Sequence, residues 1–184
     1  MNSKRFNLFF ALFPDDETAV QLETLASRLR DVHQLKGKPF VADRFHLSLY
    51  NLGEDVSVPN EVKDAAGRAA ASVECEPFHL NFDQALSFAG SPEHHPLVLP
   101  PAAGTDALTA FHRKLGAALK QEGLGRFVNF DLAPHVTLFY SDRRVEEHPV
   151  EPIGWEVKDF VLVVSHVGET RYDFLGQWPL KGGA

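Results

Sequence analysis

The chain has 184 residues and one cysteine, Cys75; its formal net charge is −7, with 44% hydrophobic and 23% charged residues. Those values describe a globular chain long enough to bury a core without staples, so disorder as the main state, an intrachain disulfide and a thiolate-built zinc site are excluded. The acidic balance disfavours extended nucleic-acid binding, which needs many cationic phosphate contacts, but it leaves room for a small anion in a local pocket.

Lys4 and Arg5 precede the apolar run Phe6 to Phe13 and mimic a signal peptide. The run contains Asn7, stops at Pro14-Asp15-Asp16 and has no small-residue cleavage site after it, so it reads as a buried strand. No apolar stretch reaches the ~18 residues of a membrane span; no membrane association and a cytoplasmic location are expected. A helix over roughly Asp16 to Arg30 follows, with Leu22, Leu25, Ala26 and Leu29 on one face and acidic residues at its start. After Lys36-Gly37-Lys38-Pro39 comes an alternating strand, Phe45 to Leu52. A second helix begins after Pro59 with Val62, Ala65, Ala66, Ala69, Ala70 and Val73 as its stripe. Phe78, Leu80 and Phe82 alternate as a strand, and Leu86 with Phe88 suggests another.

The second half opens on a short strand, His95 to Pro100. A helix over about Thr105 to Glu122 carries Leu108, Phe111, Leu115 and Leu119 and ends at Gly123 and Gly125. The strand Ala133 to Tyr140 comes next, then a polar loop with Pro149 and Pro152, one strand from Trp155 to Val164, and a last strand or two within Tyr172 to Leu180. Each half thus runs strand, amphipathic helix, then a strand carrying His-x-Ser/Thr-Leu. Phe10 lies 36 positions before His46, and Val98 lies 37 before His135. The expectation is α+β: one bilobal domain over 1–184, with an approximate duplication of 6–90 in 95–180, antiparallel sheet and flanking helices around a central cleft.

The sharpest feature is His46-Leu47-Ser48-Leu49, matched by His135-Val136-Thr137-Leu138. Chance composition gives about 0.09 such matches against two present, so the pair carries signal. Strand alternation predicts His46, Ser48 and Tyr50 on one face, and His135, Thr137 and Phe139 on one face of the other strand, with the apolar set turned to the core. Two imidazoles and two hydroxyls would then meet in one cleft. Imidazole ionises near neutral pH, so one ring can take a proton from water while the other gives one to a leaving oxygen, and hydroxyls can donate to phosphoryl oxygens. This set suits in-line attack on a phosphodiester and calls for no metal or cofactor. Tyr50 and Phe139 are expected to flank the ligand, with at least one stacking on a base.

The other histidines read as surface or structural. His94-His95 sits between Pro92 and Pro96 with no ligand at metal spacing, and adjacent Ser165 and His166 face opposite ways, so they form no dyad. Lys36, Lys38 and Arg44 before the first motif, and Arg143 and Arg144 after the second, are candidates for guiding a phosphate inward or for a solvated surface.

FFALFPD, FHLSLYNLGE, FDQALSF, PHVTLFY and EVKDFVLVVSHVGETRYDFLGQWPL together resemble the 2H phosphoesterases, and among them the bacterial 2′-5′ RNA ligase-like proteins, or RNA 2′,3′-cyclic phosphodiesterases. The resemblance spans nearly the whole chain, and the doubled motif is its specific part. It implies hydrolysis of 2′,3′-cyclic phosphate ends of RNA or nucleotides to 2′-phosphates, and 2′-5′ RNA joining in some members. It implies His46 and His135 as the acid–base pair and Ser48 and Thr137 as phosphate binders, without saying which histidine is acid and which is base. Many relatives carry a basic residue at the place of Tyr50 and some an Arg at the place of Tyr140, which joins Tyr50 and Phe139 as a substrate-binding candidate; Ser48 stands where Thr is commoner. The expected partner is a small RNA end or nucleotide, bound by a monomer. Two alternatives stay open: a noncatalytic nucleotide or RNA-end binding module, and an enzyme for another cyclic phosphate such as an ADP-ribose derivative.

Overall fold

The computed structural model describes residues 5–182. The described residues form eight strands and three α-helices: β1 (Phe6–Leu12), α1 (Asp16–Val32), β2 (Leu47–Asp55), α2 (Asn60–Ala71), β3 (Phe78–Ser87), β4 (His95–Leu99), α3 (Asp106–Gln121), β5 (Val136–Ser141), β6 (His148–Val157), β7 (Asp159–His166) and β8 (Arg171–Pro179). All pairings are antiparallel, in the order β6-β3-β4-β5-β2-β1-β7-β8. The α+β reading holds.

The sheet is nearly two sheets. At its centre β2 and β5 meet through a single residue pair, Leu47 and Val136, whereas β1 and β2 run side by side over six pairs. One lobe is therefore β2-β1-β7-β8 and the other β5-β4-β3-β6. These lobes do not coincide with the sequence halves. β3 belongs to the first half but lies against β4, and β7 belongs to the second but lies against β1 and brings β8 with it, so the first half gives up β3 and receives β7 and β8.

The run read as one strand from Trp155 is two. Only Lys158 separates β6 from β7, yet β6 is an outer edge of one lobe and β7 an interior strand of the other. Burial explains the change of role. In β6, Ile153, Trp155 and Val157 are buried in alternation, as on a one-sided edge strand. In β7, Phe160 to Val164 are all buried, because both faces are covered. Phe160, Leu162 and Val164 join the main core under the helices, while Val161 and Val163 form a second cluster with Phe9 and Ala11 on the opposite face. The polar segment with Pro149 and Pro152 is part of β6 rather than a loop; both prolines are tolerated on an edge that needs no further partner. Leu86 continues β3, so that region forms one strand instead of two.

Helix α1 starts on an Asp15 cap whose carboxylate accepts from the Thr18 amide at 2.8 Å, a bond that holds the carboxyl below its ordinary range. Its buried face is Leu22, Leu25, Ala26 and Leu29, as the spacing predicts. Helix α3 inserts Phe111, which packs edge-on against Phe160 at 5.0 Å between ring centroids. Among the described residues no helix is long and apolar enough to cross a membrane.

Candidate active site

The single β2–β5 contact sets the site. Leu47 opposes Val136, so antiparallel register puts His46 opposite Thr137 and Ser48 opposite His135. Leu47 and Val136 turn into the core, fully buried, and strand alternation assigns the four polar residues to the other face of the seam. Directly opposed side chains stand about 5 Å apart at Cβ and diagonal ones about 7–8 Å, so the two histidines form the diagonal of a small quadrilateral closed by the two hydroxyls.

Both rings are held in the same way. His46 Nδ1 lies 2.8 Å from the Arg44 carbonyl, and His135 Nδ1 lies 2.8 Å from the Ala133 carbonyl, each two residues back along its own chain. A carbonyl only accepts, so each ring carries a proton on Nδ1 and, when neutral, keeps its lone pair on Nε2. Their walls differ. His46 is packed among Phe9 (5.3 Å between centroids), Phe13 (5.4 Å, stacked) and Tyr172 (5.7 Å, edge-on). His135 has Phe88 edge-on at 4.9 Å. Burial pushes the His46 pKa from its ordinary 6.5 down to about 4; the hydrogen bond to Arg44 O opposes that, and the charges of Arg44 and His135 add to it. His46 is therefore neutral near neutral pH.

Two of the expected ligand-flanking residues are not in the groove. Tyr50 is 3% exposed and Phe139 is fully buried, both in the core. The cause is a pair of matching β-bulges. Against β1, Phe10 pairs with Tyr50 and Ala11 with Ser48, leaving Leu49 as the extra residue. Against β4, Leu97 pairs with Phe139 and Val98 with Thr137, leaving Leu138 as the extra residue. An inserted residue reverses the alternation beyond it, so position four after each histidine flips inward and position five flips outward. Asn51 and Tyr140 are the exposed pair, and Tyr140 stacks on His94 at 4.2 Å with 5° between planes. Of the three substrate-binding candidates only Tyr140 is exposed.

Each bulge frees a carbonyl, and each is satisfied. Leu138 O accepts from the Phe40 amide at 3.0 Å. Leu49 O lies 3.1 Å from Nε2 of the buried His112, which donates to it. His112 also stacks on Tyr50 (4.1 Å, 11°) and receives the Tyr50 hydroxyl proton on its backbone oxygen at 2.9 Å. This is why a histidine and a tyrosine sit buried together on α3 and β2, and why burial lowers the His112 pKa and raises that of Tyr50.

His166 ends β7 bonded to Asp173 at 2.6 Å, within its own lobe. Arg143 donates to the His33 and Gln34 carbonyls, which ties it to the end of α1. Among the described residues no three His, Cys, Asp or Glu side chains converge as a metal site. Sequence reasoning missed Phe9, Phe13 and Tyr172 around His46, and Phe88 beside His135. The first two lie on the strand and its exit, where the apolar run gives no hint of which face each ring takes.

Two splayed antiparallel lobes, with His-x-Ser and His-x-Thr on the strands that join them, define a two-histidine phosphoesterase architecture. A family model for the 2′-5′ RNA ligase superfamily matches residues 8–169, and the chain belongs to that family. Among solved structures, apo LigT of E. coli is 26% identical, with a TM-score of 0.77 over 97% of this chain and 99% of that one. LigT complexed with 3′-AMP is 25% identical over 96% and 98%, at a TM-score of 0.73. TT0787 of Thermus thermophilus, 23% identical over 97% and 100% at a TM-score of 0.73, shares the fold. No curated protein sequence matches the chain.

Proposed function

We propose that the protein hydrolyses 2′,3′-cyclic phosphate ends of RNA or nucleotides to 2′-phosphates by two-histidine acid–base catalysis. The observation that supports the reading most is the β2–β5 register: Leu47 opposes Val136, which by antiparallel pairing sets His46 against Thr137 and Ser48 against His135, and each ring is held at Nδ1 so that Nε2 is left for proton transfer. Membership of the superfamily supports phosphoester chemistry, and the 3′-AMP complex of LigT makes a nucleoside phosphate the natural class of ligand.

His46 is the base. A group with a pKa of about 4 is almost wholly deprotonated at pH 7, so it can accept a proton but has almost none to give. Its Nε2 takes a proton from water as the water oxygen attacks phosphorus. The P–O3′ bond breaks on the far side, and protonated His135 delivers its Nε2 proton to O3′. The products are a 2′-phosphate and a free 3′-hydroxyl. Ser48 and Thr137 donate to the nonbridging oxygens, where charge builds in the transition state. A 5′-hydroxyl in the place of water would form a 2′-5′ linkage by the same transfers.

Product analysis on cyclic-ended oligonucleotides and cyclic mononucleotides tests the reading. Turnover should survive EDTA and fall by about 10²–10⁴-fold in both His46→Ala and His135→Ala. Chelator-sensitive activity restored by a divalent ion would replace this proposal with a metal hydrolase. Nucleotide binding without turnover would replace it with a binding module.

A further inference from the structure

Beside His46 lies a cavity of about 550 Å³ between the start of α1, the turn at residues 42–44 and the β8 segment Thr170 to Phe174. Phe13, Tyr172 and Phe174 supply aromatic walls, Asp16 and Asp43 supply carboxylates, and Arg44 is the one cation. Its guanidinium carbon sits 4.2 Å from the Tyr172 ring centroid and 5.7 Å from that of Phe40.

Arg44 lies within 4 Å of no carboxylate in any ion pair among the described residues, Asp43 included, and what sets it apart is where it stands: it lines this cavity with its guanidinium against two aromatic rings. Its Nη1 is buried with no hydrogen-bond partner. The residue as a whole is only half-buried, so the rest of its guanidinium, packed over two rings and neutralised by no carboxylate within 4 Å, offers the cavity a cation that an arriving anion can meet. Arg44 is two residues before His46 with Phe45 extended between them, so it stands about 7 Å further along the groove. That is comparable to the step from one phosphate to the next in an extended nucleotide strand. In a chain ending in a 2′,3′-cyclic phosphate, the neighbouring phosphate is the 5′-phosphate of the terminal nucleotide.

Building on the cyclic phosphodiesterase reading, we propose that Arg44 binds the 5′-phosphate of the terminal nucleotide, so that the substrate class is RNA ends and 5′-phosphorylated cyclic nucleotides rather than bare nucleoside cyclic phosphates. The aromatic walls then receive the nucleoside, and the carboxylates accept from its amino or hydroxyl groups.

The test compares a nucleoside 2′,3′-cyclic phosphate with its 5′-phosphorylated counterpart in wild type, Arg44→Gln and Arg44→Lys. Wild type should favour the 5′-phosphorylated substrate in kcat/KM by about tenfold or more, as a charge-assisted contact provides. Arg44→Gln should bring the ratio near one and Arg44→Lys should restore part of it. The ratio is internal to each variant, so partial misfolding does not mimic the effect. A ratio near one in wild type, or equal ratios in wild type and Arg44→Gln, overturns the proposal. Calorimetric binding of adenosine 3′,5′-bisphosphate against 3′-AMP reads the same discrimination without turnover. If no cyclic phosphate is hydrolysed, the catalytic reading fails on its own, while the affinity ratio still decides the role of Arg44.

Discussion

The depressed pKa of His46 makes a stability prediction that does not depend on catalysis. The unfolded chain protonates this imidazole near its ordinary value of 6.5, whereas the folded protein resists until about 4. Between those values the unfolded state binds the extra proton, so stability rises with pH across the window and is lost as pH falls through it. The full difference is about 3 kcal/mol below pH 4, of which about 2 kcal/mol accrues between pH 7 and pH 5. His33 and His112 are also lowered by burial and slope the same way, so the wild-type curve alone cannot isolate His46. His46→Asn can: its side-chain amide replaces the Nδ1–H that meets Arg44 O, and it cannot titrate. Urea unfolding at pH 7, 6 and 5 should show the variant losing about 2 kcal/mol less than wild type over that range. Parallel curves would mean that the folded protein protonates His46 as readily as the unfolded chain, and the Phe9, Phe13 and Tyr172 wall would not be what keeps it neutral.

Tyr50→Phe should leave KM for a cyclic nucleotide unchanged, because the ring is in the core, and should cost about 1 kcal/mol in chemical denaturation through the lost bond to His112 O. Gly116→Ala should destabilise despite the gain of about 1 kcal/mol in helix propensity, since the new methyl would overlap the Tyr50 hydroxyl and lie 2.8 Å from Phe130 Cε1. The same change should cost less in a Tyr50→Phe background, and a double-mutant cycle measures the difference. With His46 as base, kcat/KM should stay high well below neutrality and fall only as pH approaches about 4; an acid limb near 6.5 would transfer the base role elsewhere.

Much of this was legible in the chain because burial imposes a period. The helix stripes at Leu22, Leu25 and Leu29 and at Leu108, Phe111, Leu115 and Leu119 are buried as spaced. His46, Ser48, His135 and Thr137 alternate with the buried Leu47 and Val136 as spaced, because each lies before or at the strand's first alternations, ahead of any irregularity. What failed to show was tertiary. Phe160 to Val164 continues the apolar character of Trp155 without a breaker, so nothing local announces that the chain changes lobes at Lys158. The only trace is that alternation gives way to a solid apolar run.

The bulges explain the remaining error and the shape of the site together. A bulge leaves no mark at its own position: Leu49 and Leu138 are ordinary strand residues, and His-x-Ser/Thr-Leu followed by two aromatic or polar residues alternates well on paper. Its signature is remote, in the group that accepts or donates to the freed carbonyl. For Leu49 that group is a histidine on α3, 63 residues away in sequence; for Leu138 it is the Phe40 amide on the loop before the first motif. Each bulge thus ties a histidine strand to an element outside its own ladder, and it does so just beyond the hydroxyl that completes the quadrilateral. Bulges increase local twist, and twisting both strands away from their one shared pair is what a seam needs if it is to open into a groove instead of continuing as sheet. On this argument His112 holds the groove open on the β2 side without touching it. Its replacement by an apolar residue would strand the Leu49 carbonyl, favour the regular register and turn Tyr50 outward.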